Sequence, residues 1–286
     1  MLKRIALLAV AAAALVSFVG PAGAITGNWT DDTVHDYVGL LVFYTTPDPV
    51  TGDPFSHRCS GTLISPTVIV TAGHCTEGVD TGRVYFAQSA APNYDPDAFG
   101  GWGGDPTTGY PYLNGVTFSV ADNYGFHDFV GWPDTKDVGV VVLDAPYTPP
   151  SGQFGLLPEA GAIDRYLADA GKKKEARFTV SGYGLSDRDP RIVSFRKRLM
   201  ATSYLVNNTQ PLTAYNLMTT ANASQGKGGT CNGDSGGPVF FYGTRIIAAV
   251  TSFGMNGQCK GLDFSYRLDR PEVLAWINNP NRVDAG

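Results

Sequence analysis

What most restricts the fold of this chain is its punctuation. Short runs rich in β-branched and aromatic residues recur at Val38 to Tyr44, Thr67 to Thr71, Arg83 to Gln88, Val116 to Ala121, Val138 to Leu143, Phe178 to Ser181, Leu199 to Val206 and Ile246 to Ser252. The turns between them draw on 35 glycines and 19 prolines. Strands this short, with turns this dense, belong to an antiparallel sandwich or barrel and not to βαβ units. Such a chain hides its strand edges by closing its sheets. The expectation is an all-β protein, and two halves of similar strand content suit a pair of packed six-stranded antiparallel β-barrels.

Helical pattern is sparse. At the C-terminus Asp269 is placed to cap a helix, Pro271 falls in its first turn, and Val273, Leu274, Trp276 and Ile277 make an apolar face before Asn278-Asn279-Pro280 ends it. A weaker pattern runs from Gly161 to Ala170. The segment from Ser89 to Gly115 has no periodicity and reads as a long surface loop. Its acidic residues do not meet the spacing of a calcium-binding loop, so no metal site is expected there.

At 286 residues, 43% apolar and 16% charged, the chain can bury a full core. Residues 1–24 read as a secretory leader: Lys3 and Arg4 precede an apolar run from Ile5 to Val19, and Ala22-Gly23-Ala24 forms a small-residue cleavage site. Without Lys3 and Arg4 the mature chain has 19 basic and 26 acidic residues, a net charge of −7, which speaks against a nucleic-acid partner. No second apolar run of bilayer length follows, so no membrane association is expected after leader removal. Four cysteines in an exported chain suggest two disulfides, with three connectivities open on arithmetic alone. Zinc is disfavoured, because Cys59, Cys75, Cys231 and Cys259 contain no C-x-x-C pair.

The stretch "KGGTCNGDSGGPVFF", Lys227 to Phe241, surrounds Ser235 with glycines. A serine hydroxyl becomes a useful nucleophile when an imidazole takes its proton and a carboxylate orients that imidazole. The chain has four histidines, His35, His57, His74 and His127, and all precede Ser235. The G-x-S-x-G elbow of α/β-hydrolases needs its histidine after the serine, so that fold is excluded, and serine esterases of that order with it. His74 sits in "VIVTAGHCTEG", where a β-branched strand runs into a small-residue turn. Asp137 sits in "TKDVGVVVLD", at the entrance to an apolar strand, unlike its neighbours Asp128, Asp134 and Asp144. His35, His57 and His127 fall in polar or turn-like surroundings and read as structural.

The blocks "TAGHC", "DVGVVVL" and "GDSGGP", in that order, resemble the signatures of the trypsin/chymotrypsin family of secreted serine endopeptidases. The likeness runs from "CSGTLIS" at Cys59 through "GYG" at Gly182 and "TSFG" at Thr251 to the terminal "VLAWI". It implies a chymotrypsin-like double barrel over residues 25–286, with the active site between the halves. It implies His74, Asp137 and Ser235 as catalytic residues, the N–H groups of Gly233 and Ser235 as the oxyanion hole, and disulfides Cys59 to Cys75 and Cys231 to Cys259. A third bridge common in animal members is missing, which leaves the loop near Asn207 to Ala223 less constrained. Partners are protein or peptide substrates and proteinaceous inhibitors; the protein is expected to be a monomer without a cofactor. The competing reading is a catalytically inactive, protease-like binding protein, although no triad position is changed.

Members of the family are activated by a free N-terminal Ile or Val that pairs with the Asp before the serine. Here these are Ile25 and Asp234, and Ile25-Thr26-Gly27-Asn28 begins directly after the leader's cleavage site. Leader removal alone is therefore expected to activate the enzyme. The resemblance also places Gly229 and Thr230 at the floor of the primary specificity pocket, where trypsin-like members carry Asp. It places Ser252, Phe253 and Gly254 along the substrate backbone, and Asp263 on the opposite wall. An uncharged floor suits large apolar side chains, whereas Asp263 offers a carboxylate for Arg or Lys.

Overall fold

The protein is described by a computed structural model that covers residues 25–44, 55–79, 81–90, 115–170, 175–186, 196–207, 212–255 and 257–282. The leader expected at residues 1–24 and most of the long loop after Ser89 lie outside these residues.

Six strands close the first barrel: β3 (Val38–Tyr44), β4 (Phe55–Leu63), β5 (Val68–Thr71), β6 (Thr81–Tyr85), β7 (Val116–Asn123) and β8 (Gly139–Leu143). They run in the order β3-β4-β5-β8-β7-β6, all antiparallel where paired. Two short strands precede them, β1 (Thr26–Gly27) and β2 (Trp29–Asp31). The second barrel is built from β9 (Arg177–Gly182), β10 (Leu199–Asn207), β11 (Asn216–Thr220), β13 (Pro238–Phe241), β14 (Ile247–Gly254) and β15 (Leu262–Arg267). Its order is β11-β15-β14-β13-β9-β10, closed by β10 on β11, and β2 is added to β10 as a seventh strand. β12 (Gly228–Gly229) pairs only with β1 among the described strands.

Strands with apolar runs lie where the sequence places them, within a few residues. Of those missed, β4, β11 and β15 mix polar residues among the apolar ones, whereas β13 is wholly apolar but only four residues long and opens on Pro238. "FSHRCSGTL" and "LDFSYR" are strands because both faces are covered, one by the barrel interior and one by the neighbouring barrel or cleft. The stretch expected to be loosely held after Asn207 contains β11, a barrel strand paired on both sides.

Each barrel has its own apolar interior. Val38, Leu40, Val42, Phe43, Ile69, Val70, Val84, Phe118, Val140 and Leu143 fill the first. Ile25, Phe178, Val180, Leu199, Leu217, Val239 and Ala249 belong to the second. The first cluster also takes in Phe240, Ile247, Val250 and Tyr266 from strands of the second barrel, so the two halves share core across their junction, and each fully buried Val, Leu, Ile or Phe side chain contributes about 1.5–3 kcal/mol of transfer free energy.

Two helices lie outside the barrels, α2 (Ala162–Asp169) and α3 (Pro271–Asn278). Asp269 does not cap α3, where Arg270 holds the cap position without a side-chain bond. Its carboxylate instead accepts the N–H of Ile163 at 2.8 Å and pairs with Arg267 at 2.8 Å. Ile163 is in the first turn of α2, whose own cap position is a glycine. Asp269 thus supplies across space the acceptor that Gly161 lacks. Among the described residues no helix is long and apolar enough to cross a membrane.

Candidate active site

His74 lies in the single turn α1 (Gly73–Thr76) that follows β5. Three contacts hold it. Asp137 Oδ1 accepts the backbone N–H of His74 at 2.8 Å, and both carboxylate oxygens of Asp137 lie 3.0–3.1 Å from His74 Nδ1. The ring meets Phe126 and Phe129 at centroid distances of 5.8 and 6.2 Å. The disulfide from Cys75 to Cys59 ties the turn to β4 across a Cα separation of 6.3 Å. Closing that loop is worth about 3 kcal/mol.

Asp137 precedes β8 and is fully buried. A bare carboxylate there would be strongly disfavoured, but three donors reach it: the His74 backbone N–H, His74 Nδ1–H and the Ser252 hydroxyl. Burial pushes its carboxyl up, and the His74 charge and these hydrogen bonds more than offset this, leaving it below the usual carboxylate range. For His74 burial acts downward, and Asp137 outweighs it, so the imidazole sits above its ordinary value. With Nδ1–H committed to the carboxylate, Nε2 is the nitrogen left for chemistry.

Ser235 comes from the other barrel, on the turn between β12 and β13. Its carbonyl accepts the N–H of Ser60 at 2.8 Å, and the Ser60 hydroxyl donates to the Gly233 carbonyl at 2.9 Å. β4 of the first barrel therefore fixes both ends of the turn. Gly236 fits beneath Thr71 and Ala72, and a Cβ there would collide with Thr71 Oγ1. Glycine at 236 is thus what lets the serine turn approach the strand end that carries His74. Gly233 has φ +96°, a conformation open to glycine.

Behind the serine, the carboxylate of Asp234 is buried and accepts N–H groups from Gly184 at 2.8 Å and Cys231 at 2.9 Å. Burial nonetheless pushes it up to about 7. Among the described residues no cation pairs with it directly, and no described contact joins it to Ile25. Ile25 is buried in the second barrel's interior with φ +66°. The residues after it dock beside the pocket segment, Thr26 opposite Gly229 and Gly27 opposite Gly228.

Gly229 and Thr230 meet Asp263 directly. A Cβ built at Gly229 would lie 2.5 Å from Asp263 Oδ2, and that oxygen accepts the Thr230 N–H at 2.7 Å. Asp263 lies in β15 opposite Gly254, the end of the Ser252 to Gly254 segment. Burial raises its carboxyl to about 6. The floor that sequence reading leaves neutral therefore abuts a carboxylate. Cys231 and Cys259 are joined beside it, Cα atoms 5.1 Å apart.

Several residues at the site carry roles that the sequence reading missed. Ser252, assigned to the substrate backbone, also bonds Asp137 through its hydroxyl. His57 is a strand residue and not a turn residue: it stacks on Phe43 at 4.8 Å and its Nε2 lies 2.7 Å from the Cys75 carbonyl, bracing the His74 turn. His35 is buried against Asp32 and Phe240. His127 is exposed beside Glu77. Phe129 and Trp132 pack edge-on against Phe253, at 5.2 and 5.4 Å, as an aromatic wall beside His74. Only the aromatic content of "FHDFVGW" hinted at this wall. The rival acid Asp134 accepts the Tyr266 hydroxyl and pairs with Arg270 at 3.0 Å, away from His74.

Known proteins share this arrangement of barrels. The chain is 28% identical over 205 residues to brachyurin of Leptuca pugilator, covering 71% of this chain and 78% of that protein. It is 27% identical over 235 residues to a trypsin of Saccharopolyspora erythraea, covering 78% and 84% respectively. Among solved structures, human heparin binding protein superposes with a TM-score of 0.59 at 18% identity, over 91% of this chain and 100% of that one, a likeness of fold alone. The family model described as Trypsin matches residues 42–277. Barrels, cleft and sequence match agree: this chain belongs to the trypsin family of serine proteases.

Proposed function

We propose that this protein is an exported serine endopeptidase that cleaves after Arg or Lys. The observation that carries the reading is the buried Asp137 carboxylate, hydrogen-bonded at once to the backbone and ring of His74, with the Ser235 turn seated on the same strand end. Ser235 Oγ attacks the scissile carbonyl, and its proton passes to His74 Nε2. The new oxyanion takes N–H groups from Gly233 and Ser235. Collapse expels the amine, which takes the proton back from His74, and water then hydrolyses the acyl-enzyme by the same steps in reverse roles. Asp137 orients the ring and stabilises its cation.

The choice of Arg or Lys rests on Asp263. A fixed, water-poor carboxylate at the base of a pocket favours a matching cation over an apolar chain of the same length. With the carboxyl raised to about 6 when the pocket is empty, the preference should fade below that pH. Asp263→Ala should cut turnover of Arg and Lys substrates by roughly 10²-fold or more, while substrates with Leu or Phe in that position keep most of theirs.

Export and activation belong to the same reading. Ile25 is proposed as the mature N-terminus, freed when residues 1–24 are removed. A β-branched residue at φ +66° is strained by about 1–2 kcal/mol, because its Cβ crowds the backbone around the preceding peptide bond. Cutting that bond removes the preceding carbonyl and with it the constraint, and it creates the ammonium that Asp234 lacks. N-terminal sequencing of the exported protein tests this, and a start other than Ile25 overturns it.

The activity itself is tested with a fluorophosphonate probe and a panel of peptide amides scanned at the residue before the scissile bond. Labelling of the wild type and not of Ser235→Ala, with cleavage after Arg and Lys, is the expected result. Absence of labelling would favour the inactive binding protein.

A further inference from the structure

Ser60, inside the block "CSGTLIS" on β4, is a fully buried serine with no part in the proton transfers. Its hydroxyl oxygen accepts the N–H of Tyr183, just past β9, at 3.0 Å, and its O–H donates to the Gly233 carbonyl at 2.9 Å. A serine hydroxyl has a single proton to give. Here Gly233 receives it. The turn that Ser60 meets is rich in glycine, and at φ +96° Gly233 has no Cβ to confine its rotation. Hydrogen bonds must confine it instead. All four carbonyls from Asn232 to Ser235 are held: Asn232 by the Leu185 N–H at 2.8 Å, Gly233 by the Ser60 hydroxyl, Asp234 by the Gly237 N–H at 2.8 Å and Ser235 by the Ser60 N–H at 2.8 Å. Three of these donors are backbone groups, and only the Ser60 hydroxyl belongs to a side chain. The N–H of a trans peptide points opposite to its C=O, so clamping the Asn232 and Asp234 carbonyls turns the N–H groups of Gly233 and Ser235 the other way. Among the described residues no hydrogen bond takes either N–H, whereas those of Asp234 and Gly236 go to the carbonyls of Cys231 at 2.9 Å and Thr251 at 2.7 Å.

We propose that Ser60 is a positioning residue for the oxyanion hole: its hydroxyl fixes the peptide between Gly233 and Asp234, and so keeps the Gly233 N–H aimed at the oxygen that becomes negative when Ser235 attacks. This rests on the endopeptidase reading above. With the hydroxyl present, Gly233 is pinned on both sides, by Leu185 through the peptide before it and by Ser60 through the peptide after it. Without it, one pin remains, and a glycine meets little steric resistance to turning about the other. Donors of an oxyanion hole act by being in place before the charge develops. Loosening one therefore slows the chemical step and leaves ground-state binding of the peptide as it was. The Tyr183 N–H gives the hydroxyl its direction, so the device joins β4 of the first barrel, the end of β9 and the serine turn at one buried oxygen.

The test uses the mature enzyme, a peptide amide, and two inhibitors of one peptide sequence, ending in an aldehyde or in the corresponding primary alcohol. Ser235 Oγ adds to the aldehyde carbon, its proton passes to His74, and the carbonyl oxygen becomes the oxyanion; the alcohol has no carbonyl to be attacked. Ser60→Ala should lower kcat roughly tenfold with KM within about twofold, and should weaken the aldehyde roughly tenfold relative to the alcohol. Ser60→Gly should do the same, because the hydroxyl and not the methylene is what acts. A kcat within about twofold of wild type overturns the proposal. So does a variant that loses aldehyde and alcohol binding alike, because that marks a serine that serves only the fold. A crystal structure of the wild type with the aldehyde bound needs no variant to fold, and a Gly233 carbonyl turned away from Ser60 in it overturns the proposal as well. Failure of the endopeptidase reading looks different, since then the wild type cuts no amide and binds the aldehyde no better than the alcohol.

Discussion

Two buried aspartates in this protein hold a histidine in nearly the same way. Asp137 accepts the backbone N–H of His74 at 2.8 Å and lies 3.0 Å from its Nδ1. Asp32 accepts the backbone N–H of His35 at 3.0 Å and lies 2.9 Å from its Nδ1. Each carboxylate is fully buried and takes a serine hydroxyl from the second barrel as well, Ser252 in one case and Ser181 in the other. The difference lies beyond the ring. His35 stacks on Phe240 at 4.7 Å and lines a cavity of about 750 Å³ whose walls include threonines but no serine or cysteine. His74 shares its strand end with the glycine-rich turn of Ser235. A carboxylate that orients an imidazole is therefore a structural unit with two uses. In one it ties the β2–β3 turn to the second barrel, and in the other it readies a base for a nucleophile.

The largest expected contrast is kinetic. Asp137→Asn should lower kcat on a peptide amide by about 10⁴-fold, the size known for the type case of this triad. Asp32→Asn should stay within about threefold of wild type when both are assayed well below their melting temperatures. If Asp32→Asn fell as far as Asp137→Asn, the separation of the two pairs into one base and one structural tie would be wrong.

Next in size is stability. Removing one partner of a buried ion pair costs about 3–5 kcal/mol, so Asp32→Asn should lower the melting temperature of a chain this long by about 10 °C. Differential scanning calorimetry reads this directly, and an unchanged melting temperature would mean that the Asp32 cluster holds nothing together.

The remaining effects are read through pH. The Asp32 carboxyl is lowered to about 2, from an ordinary 3.8, by its bonds to His35 and Ser181 and by the His35 charge, against the upward push of burial. A depressed carboxyl stabilises the fold at pH values above its unfolded value. That contribution, about 2 kcal/mol, should be lost as pH falls from about 4 to about 2, and Asp32→Asn should flatten that acid limb. Asp234 has the opposite sign. Raised to about 7 with no described cation paired to it, it binds its proton more tightly folded than unfolded, so a form still extended before Ile25 should lose stability as pH climbs from about 4 to about 7. Urea titrations of extended and mature forms at pH 5 and 7.5 would sharpen the comparison. For His74 the raised imidazole predicts that kcat/KM climbs with pH to a plateau, with its midpoint above 6.5.

Much of the site was legible because its chemistry is written in short blocks. "TAGHC", "KDVGVVVL" and "GDSGGP" each combine a reactive side chain with the strand or turn that carries it, and their order along the chain removed the rival hydrolase fold. Apolar strands such as Val38–Tyr44 and Gly139–Leu143 were legible for a similar reason, since their burial is written in every residue. The polar strands were not. Arg177–Gly182 shows its apolar residues, but Phe55–Leu63 reads as a loop until its partner β3 is known. His35 and His57 looked like turn residues because burial of a histidine depends on neighbours far along the chain: Ser181 lies 149 positions from Asp32.

The sequence by itself determined the kinds of groups available: one glycine-set serine, a histidine upstream of it on a tethered turn, an acid at the mouth of an apolar strand, and a likeness to the trypsin family. Only the tertiary structure decided which carboxylates those groups meet. Asp263 reaches Gly229 because β15 pairs with β14 in one register, and a slip of one residue would turn it to the other face. Asp269 caps a helix 106 residues away, and Arg58 lies against Gly233 because two barrels are docked on Ser60. Local chemistry is carried by adjacent residues, whereas charge placement in a closed barrel depends on register and docking, which no short stretch of sequence contains.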